Sequence, residues 1–142
     1  MNKPWTHTWH EVHDRIHRAE ASAGRRPGQV QLLAVSKTFA AQAVQELAQA
    51  VGQRDFGENY IQEGVDKITA LNHTTEGPNL IWHCIGPIQS NKTRLVSEHF
   101  HWAHTVDRLR IAQRLNDHRP DHLPPLQVCL QVNRQDLLSH HQ

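Results

Sequence analysis

Short apolar runs alternate along this chain with stretches in which apolar residues recur every three or four positions. Residues 8–23 place Trp9, Val12, Ile16 and Ala19 on one stripe; Thr8-Trp9-His10-Glu11 has capping-box form and Gly24 supplies a stop, so the spacing predicts a leading helix over 8–23. A turn-like stretch then gives way to residues 30–35, whose valine, leucine and alanine content suits a strand buried on both faces. Val44, Leu47, Ala48 and Val51 carry a helix over 40–51, with Gly52 as its expected C-terminal cap. The pattern repeats with a brief strand near 55–59, a helix carrying Ile61, Val65 and Ile68, and a strand over 80–85. A helix with Leu95 and Val96, expected to be capped by Ser90, follows; then come a strand over 102–106, a helix from about residue 107 with Leu109, Ala112 and Leu115, and a strand over 126–132.

Short strands alternating with three-turn helices define an α/β protein built from successive parallel βα units. Five strands and four connecting helices follow the leading helix, an order that a doubly wound sheet and a (βα)8 barrel share. No GxGxxG follows the first strand, which argues against a dinucleotide site. A chain of 142 residues is the size of one domain, read as a single unit over 1–142 with a leading helix at 8–23, βα units over 30–136 and a tail at 137–142.

Charge and composition narrow the partners. Fifteen basic against fourteen acidic residues leave a net charge of +1, so no basic field announces nucleic acid or a membrane surface, and a small ligand is the expected partner. The start lacks the apolar core of a secretory signal and no window approaches a membrane span, which gives a cytoplasmic expectation. Cys84 and Cys129 lie in apolar runs and are expected to be buried free thiols. Thirteen histidines are many for this length, and His10, His13 and His17 fall at helical spacing. With no carboxylate or cysteine cluster beside them they read as a solvated polar face rather than a metal site.

Parallel α/β proteins bind ligands beyond the carboxyl ends of their strands. The polar positions there are Lys37, Asn59, the Gly86-Pro87 turn, Asp107 and Asn133. Lys37 finishes an apolar strand; partial desolvation there would favour its neutral amine, the form that condenses with an aldehyde. Alternation sets Leu33, Val35 and Lys37 on one face, with Val35 directly below the lysine. Asn59 shares a face with Gly57, and His83 with Ile81 and Ile85; the asparagine is a hydrogen-bonding partner for a ring substituent, and the glycine would leave space for a ring. Each residue has an ordinary structural reading too: a solvated strand-end lysine, helix caps at Asn59 and Asp107, and a hydrogen-bonded core histidine at His83. On the residues alone the pocket's chemistry stays open.

The runs Leu32-Leu33-Ala34-Val35-Ser36-Lys37-Thr38, Phe56-Gly57-Glu58-Asn59-Tyr60 with Gln62-Glu63-Gly64, and Trp82-His83 with Ile85-Gly86 are similar, in order and spacing, to those of the YggS/PROSC pyridoxal-phosphate homeostasis family. So are Gln89-Ser90-Asn91-Lys92 and residues 104–109. The resemblance implies a (βα)8 barrel like the alanine racemase N-terminal domain. It implies a Schiff base between pyridoxal 5'-phosphate and Lys37, with Asn59 beside the cofactor. It also implies a role in vitamin B6 supply without catalytic turnover. Val35 and His83 complete the expected cofactor site, and no catalytic residue is assigned.

Family members are longer, and they take their phosphate-binding residues from later strands. The resemblance stops after Asp136, where the chain continues Leu137-Leu138-Ser139-His140-His141-Gln142, so we expect a C-terminally truncated product. Five of eight barrel strands would leave open edges prone to self-association, and without the phosphate cup the cofactor is expected to be held weakly. Two rivals stand beside this reading. One is a racemase-like enzyme, which needs a second acid–base group on the far face of the cofactor; the other is an inert fragment.

Overall fold

The computed structural model describes residues 4–133, so the tail at 137–142 lies outside the described residues. A leading helix α1 (Pro4–Ser22) precedes strands β1 (Ala34–Val35), β2 (Asp55–Glu58), β3 (Ile81–Cys84), β4 (Trp102–Val106) and β5 (Gln127–Leu130). Between them run helices α2 (Ala41–Val51), α3 (Ile61–Leu71), α4 (Thr93–His99) and α5 (Leu109–His118). The five strands form one sheet in the order β1-β2-β3-β4-β5, every pairing parallel. A doubly wound sheet reverses its strand order at a switch point, whereas a βα barrel adds strands in sequence. The sequential order therefore decides for the barrel arrangement, of which five strands are described.

Alternation along β2 and β3, with a register irregularity between Ala103 and Val106 of β4, sets where the core forms. Phe56, Trp82, Cys84, Ala103 and Val106 are buried strand residues, and the helices answer with Val44, Ala48, Val65, Ile68, Val96, Ile111 and Leu115 in the same cluster. Neighbouring helices pack in series, α2 on α3, α3 on α4 and α4 on α5. Gly52 ends α2 as expected, at φ +74° in the left-handed region, with its N–H bonded to the carbonyl of Ala48.

Several boundaries differ from the sequence expectation, each for a local reason. The helix α1 begins at Pro4, a residue suited to a first turn, so the Thr8–Glu11 motif is helix interior rather than a cap; Glu11 instead pairs with His7 at 2.9 Å. The first strand shrinks from 30–35 to two residues because side chains take the backbone groups a ladder would have used. Glu20 accepts from the Val30 N–H at 2.8 Å, and Gln53 donates to the Leu32 carbonyl at 2.8 Å. The expected caps at Ser90, Asn59 and Asp107 are corrected as well. A 3-10 turn (Ser90–Lys92) leads into α4, the N-cap of α3 is Tyr60, and that of α5 is Arg108.

Both cysteines are free, but Cys129 is half-buried rather than enclosed. Burial pushes the Cys84 thiol up to about 11, so it behaves as a small apolar group. None of the described helices is long and apolar enough to cross a membrane.

Candidate functional site

The register across β1, β2 and β3 sets Val35, Gly57 and His83 at one level of the sheet. The ladder continues past the strand ends, through the Ser36 N–H to the Gly57 carbonyl at 2.9 Å and the Ile85 N–H to the Glu58 carbonyl at 3.0 Å. Two residues further on, Lys37, Asn59 and Ile85 stand just past the strand ends, at the carboxyl rim. Lys37 sits in a turn closed by the Phe39 N–H on the Ser36 carbonyl at 3.1 Å, and it is exposed. Val35 is 49% exposed, so the desolvated floor expected beneath the lysine is absent: β1 is an outer strand, and no described strand walls its far side.

The space expected over Gly57 is also taken. A methyl group there would stand 3.1 Å from Ile85 Cδ1 and 3.5 Å from Leu33 Cδ2, so neighbouring side chains close over the glycine and give that face an apolar surface. Gly86 has a firmer role, because a Cβ at that position would fall 1.9 Å from the Asn59 carbonyl oxygen. The loop after β3 thus rests directly on the backbone of Asn59, and Thr105 fixes it further by donating to the Gly86 carbonyl at 2.7 Å.

His83 lies on the same face, 8% exposed, with both ring nitrogens engaged. Its Nε2 stands 2.8 Å from Asp55 Oδ2 and its Nδ1 2.9 Å from His104 Nε2. A carboxylate only accepts, so His83 Nε2 donates to Asp55, and between His83 Nδ1 and His104 Nε2 one nitrogen donates and the other accepts. Gln31 donates to the other Asp55 oxygen, and Trp102 stacks on the His83 ring at 5.3 Å with the planes 8° apart. Burial holds the His104 imidazole below its ordinary value, as does the neighbouring His83.

On the helix-facing side of the sheet, under the lysine turn, lies a second polar group. Glu58 and Ser36 point there, and Ser36 Oγ donates to Glu58 Oε2. Lys67 of α3, 6% exposed, donates to the Ser36 carbonyl at 2.7 Å and lies 3.0 Å from both Glu58 oxygens. It also pairs with Glu63 at 2.9 Å, and Glu63 accepts from the Thr38 N–H at 2.7 Å. The hydrogen bond from Lys67 holds the Glu63 carboxyl below its usual range, helped by the Thr38 amide.

The register sets Val35 and His83 at one level of the sheet, with His83 bonded within the protein, and Lys37 and Asn59 lie in the segments that follow β1 and β2. Asp107 and Asn133, the other strand-end candidates, lie beyond β4 and β5. Sequence reasoning missed Asp55, His104 and the cluster of Ser36, Glu58, Glu63 and Lys67. A signal existed for the latter, since Glu63 and Lys67 form an i,i+4 pair and Glu58 places a carboxylate in a fully buried strand. His13 stacks on Trp9 at 4.6 Å, and among the described residues no group of three ligating side chains could hold an ion.

A family profile described as the N-terminal domain of alanine racemase matches residues 11–136. The chain belongs to this family. Within it, the chain is 56% identical over 130 residues to the pyridoxal phosphate homeostasis protein of Escherichia coli strain K12, covering 92% of this chain and 55% of that protein. It is 59% identical over 123 residues to the protein of the same name from Pseudomonas aeruginosa, covering 87% and 51%. The chain spans about half the length of the curated relatives it matches. Among solved structures it is similar to PipY of Synechococcus elongatus with PLP bound, with TM-score 0.59 and 44% identity over 71% of this chain and 46% of that one. It is also similar to an unknown protein from Bifidobacterium adolescentis, with TM-score 0.71 and 32% identity over 79% and 48%.

Proposed function

We propose that this chain binds pyridoxal 5'-phosphate in the service of vitamin B6 homeostasis, as a Schiff base on Lys37, with Asn59, Val35 and His83 bounding the site. The observation that carries the reading is the exposed amine at the carboxyl end of β1, one strand from Asn59, whose backbone Gly86 pins in place. The names of the relatives and the cofactor in the PipY structure support it. The residues present suit such a ligand on three counts: a primary amine for an aldehyde, an amide for a ring substituent, and the apolar surface of Val35, Leu33 and Ile85 for a ring face. When bound, the cofactor would supply an aldehyde, and the Lys37 amine is the group that would condense with it.

Both His83 nitrogens are spent on Asp55 and His104, so its part is to stiffen the level below the rim. Binding is the activity proposed, without turnover. Racemisation of alanine that disappears in Lys37→Ala contradicts the absence of turnover.

Incubation with pyridoxal phosphate, borohydride reduction and peptide mass mapping provide the test. Lys37 is expected to be labelled well ahead of Lys3 and Lys92, and the buried Lys67 to be spared. Equal labelling of Lys37, Lys3 and Lys92 would mean that the strand-end lysine is an ordinary solvated amine and the chain an inert fragment.

A further inference from the structure

We propose that Lys67 and Glu63 are positioning residues for the Lys37 amine, acting on its backbone from the opposite side of the sheet. This deepens the reading of Lys37 above and rests on it. The Lys67 ammonium has three N–H groups, and four oxygens crowd around it within 3.0 Å, from Ser36, Glu58 and Glu63. Two carboxylates thus share one cation, in a place where Glu58 is fully buried. The remaining negative charge is met by two donors, Ser36 Oγ–H on Glu58 and Thr38 N–H on Glu63. Those donors belong to the residues on either side of Lys37.

The electrostatics of the cluster are thereby tied to the conformation of three consecutive residues. Ser36 is held through its carbonyl and its hydroxyl, and Thr38 through its amide. Thr38 stands at φ +67°, the one non-glycine residue at positive φ among those described. A β-branched residue in the left-handed region is strained and persists only where its surroundings fix it. The Glu63 carboxylate on its N–H is such a fixture. These bonds reach the backbone and side chain of its neighbours and none involves the Lys37 side chain, so the cluster orients the amine without touching it. A turn held in this way presents the amine in one direction, which is what condensation with a bound aldehyde needs.

The test uses the full chain with Glu63→Ala, Glu63→Gln and Lys67→Met. Glu63 is partly exposed, so its variants are expected to fold; Lys67→Met strands a buried carboxylate and serves only if it melts cooperatively. In the ligand-free chain, Glu63→Ala is expected to speed hydrogen exchange of the Thr38 amide about tenfold with little change in melting temperature. Its apparent affinity for pyridoxal phosphate should fall about tenfold and the pH profile of the condensation should change. Glu63→Gln keeps an oxygen for the Thr38 N–H and should restore most of the protection. Unchanged Thr38 exchange, or unchanged affinity and pH profile, in Glu63→Ala overturns the proposal. If the reading of Lys37 itself is wrong, Lys37→Ala will bind the cofactor as the native chain does, while the exchange measurement still reports on the clamp.

Discussion

Every residue of β2 is buried, whereas Gln127, Val128 and Leu130 of β5 are exposed, although both are four-residue strands of one parallel sheet. The difference lies in their neighbours. β2 has β1 and β3 beside it and helix α3 packed on it, while β5 pairs with β4 alone among the described strands, with Leu130 76% exposed. Hydrophobic stabilisation follows the area removed from water, so it is concentrated in the middle of the sheet. The proposed chemistry sits at a margin, on two-residue β1, where exposure is what a ligand-accessible amine requires. Middle and margin are joined through Glu58, a buried β2 residue whose carboxylate reaches the lysine turn by way of Ser36 and Lys67.

The contrast breaks first at the centre. Trp82 is 2% exposed and packs 5.8 Å from Phe56, so Trp82→Ala is expected to cost about 3–5 kcal/mol, read as a shift of the denaturation midpoint. A loss below about 1 kcal/mol would mean that the middle of the sheet is not where stability resides. Gly86→Ala comes next. The added methyl meets backbone rather than a movable side chain, so the cost is about 1–3 kcal/mol, and displacement of Asn59 should weaken cofactor binding beyond what the stability loss explains.

Acidification probes the polar groups of both regions. His101, whose Nδ1 accepts from the Trp82 N–H at 3.0 Å, and His104 are held below 6.5 in the folded chain, by burial first and then by Arg119 beside His101 and His83 beside His104. The unfolded chain therefore binds more protons near that pH, and stability falls as pH drops through it. Glu63 and Glu20 are held below 4.5, chiefly by the hydrogen bonds from Lys67 and from the Val30 amide. Their contribution is present above that value and disappears as pH falls further. The melting temperature should therefore decline continuously from about pH 7.5 to about pH 4, and a rise on acidification would contradict the assignment. The smallest effect is expected at the outer strand. Leu130→Ser should change stability by less than about 0.5 kcal/mol while reducing self-association in sedimentation experiments, since an exposed apolar side chain on an open edge favours association over folding.

What could be read in advance follows the same division. The βα order was legible because a period of two and a period of 3.6 are local properties of the chain, and the central strands fell close to their expected bounds. The outer strands were overextended, since nothing in the run 30–35 shows that Glu20 and Gln53 side chains will take its backbone groups. Barrel and doubly wound sheet could not be separated by periodicity; strand order settles it. Lys37 was legible as a polar residue ending an apolar strand. Its surroundings were not: Ser36, Glu58 and Lys67 meet across separations of 9 to 31 residues, and the Asp55–His83–His104 chain across 21 and 28. Contacts of that kind depend on register, and register appears only when strands are paired.

The Lys37 amine is the central claim, and a spectroscopic titration addresses it most directly. Adding pyridoxal phosphate to the native chain should produce a saturable visible absorption change from the Schiff base, and Lys37→Ala, folded by its far-UV spectrum, should produce none. The same saturable change in Lys37→Ala would show that the cofactor, if held at all, is held elsewhere.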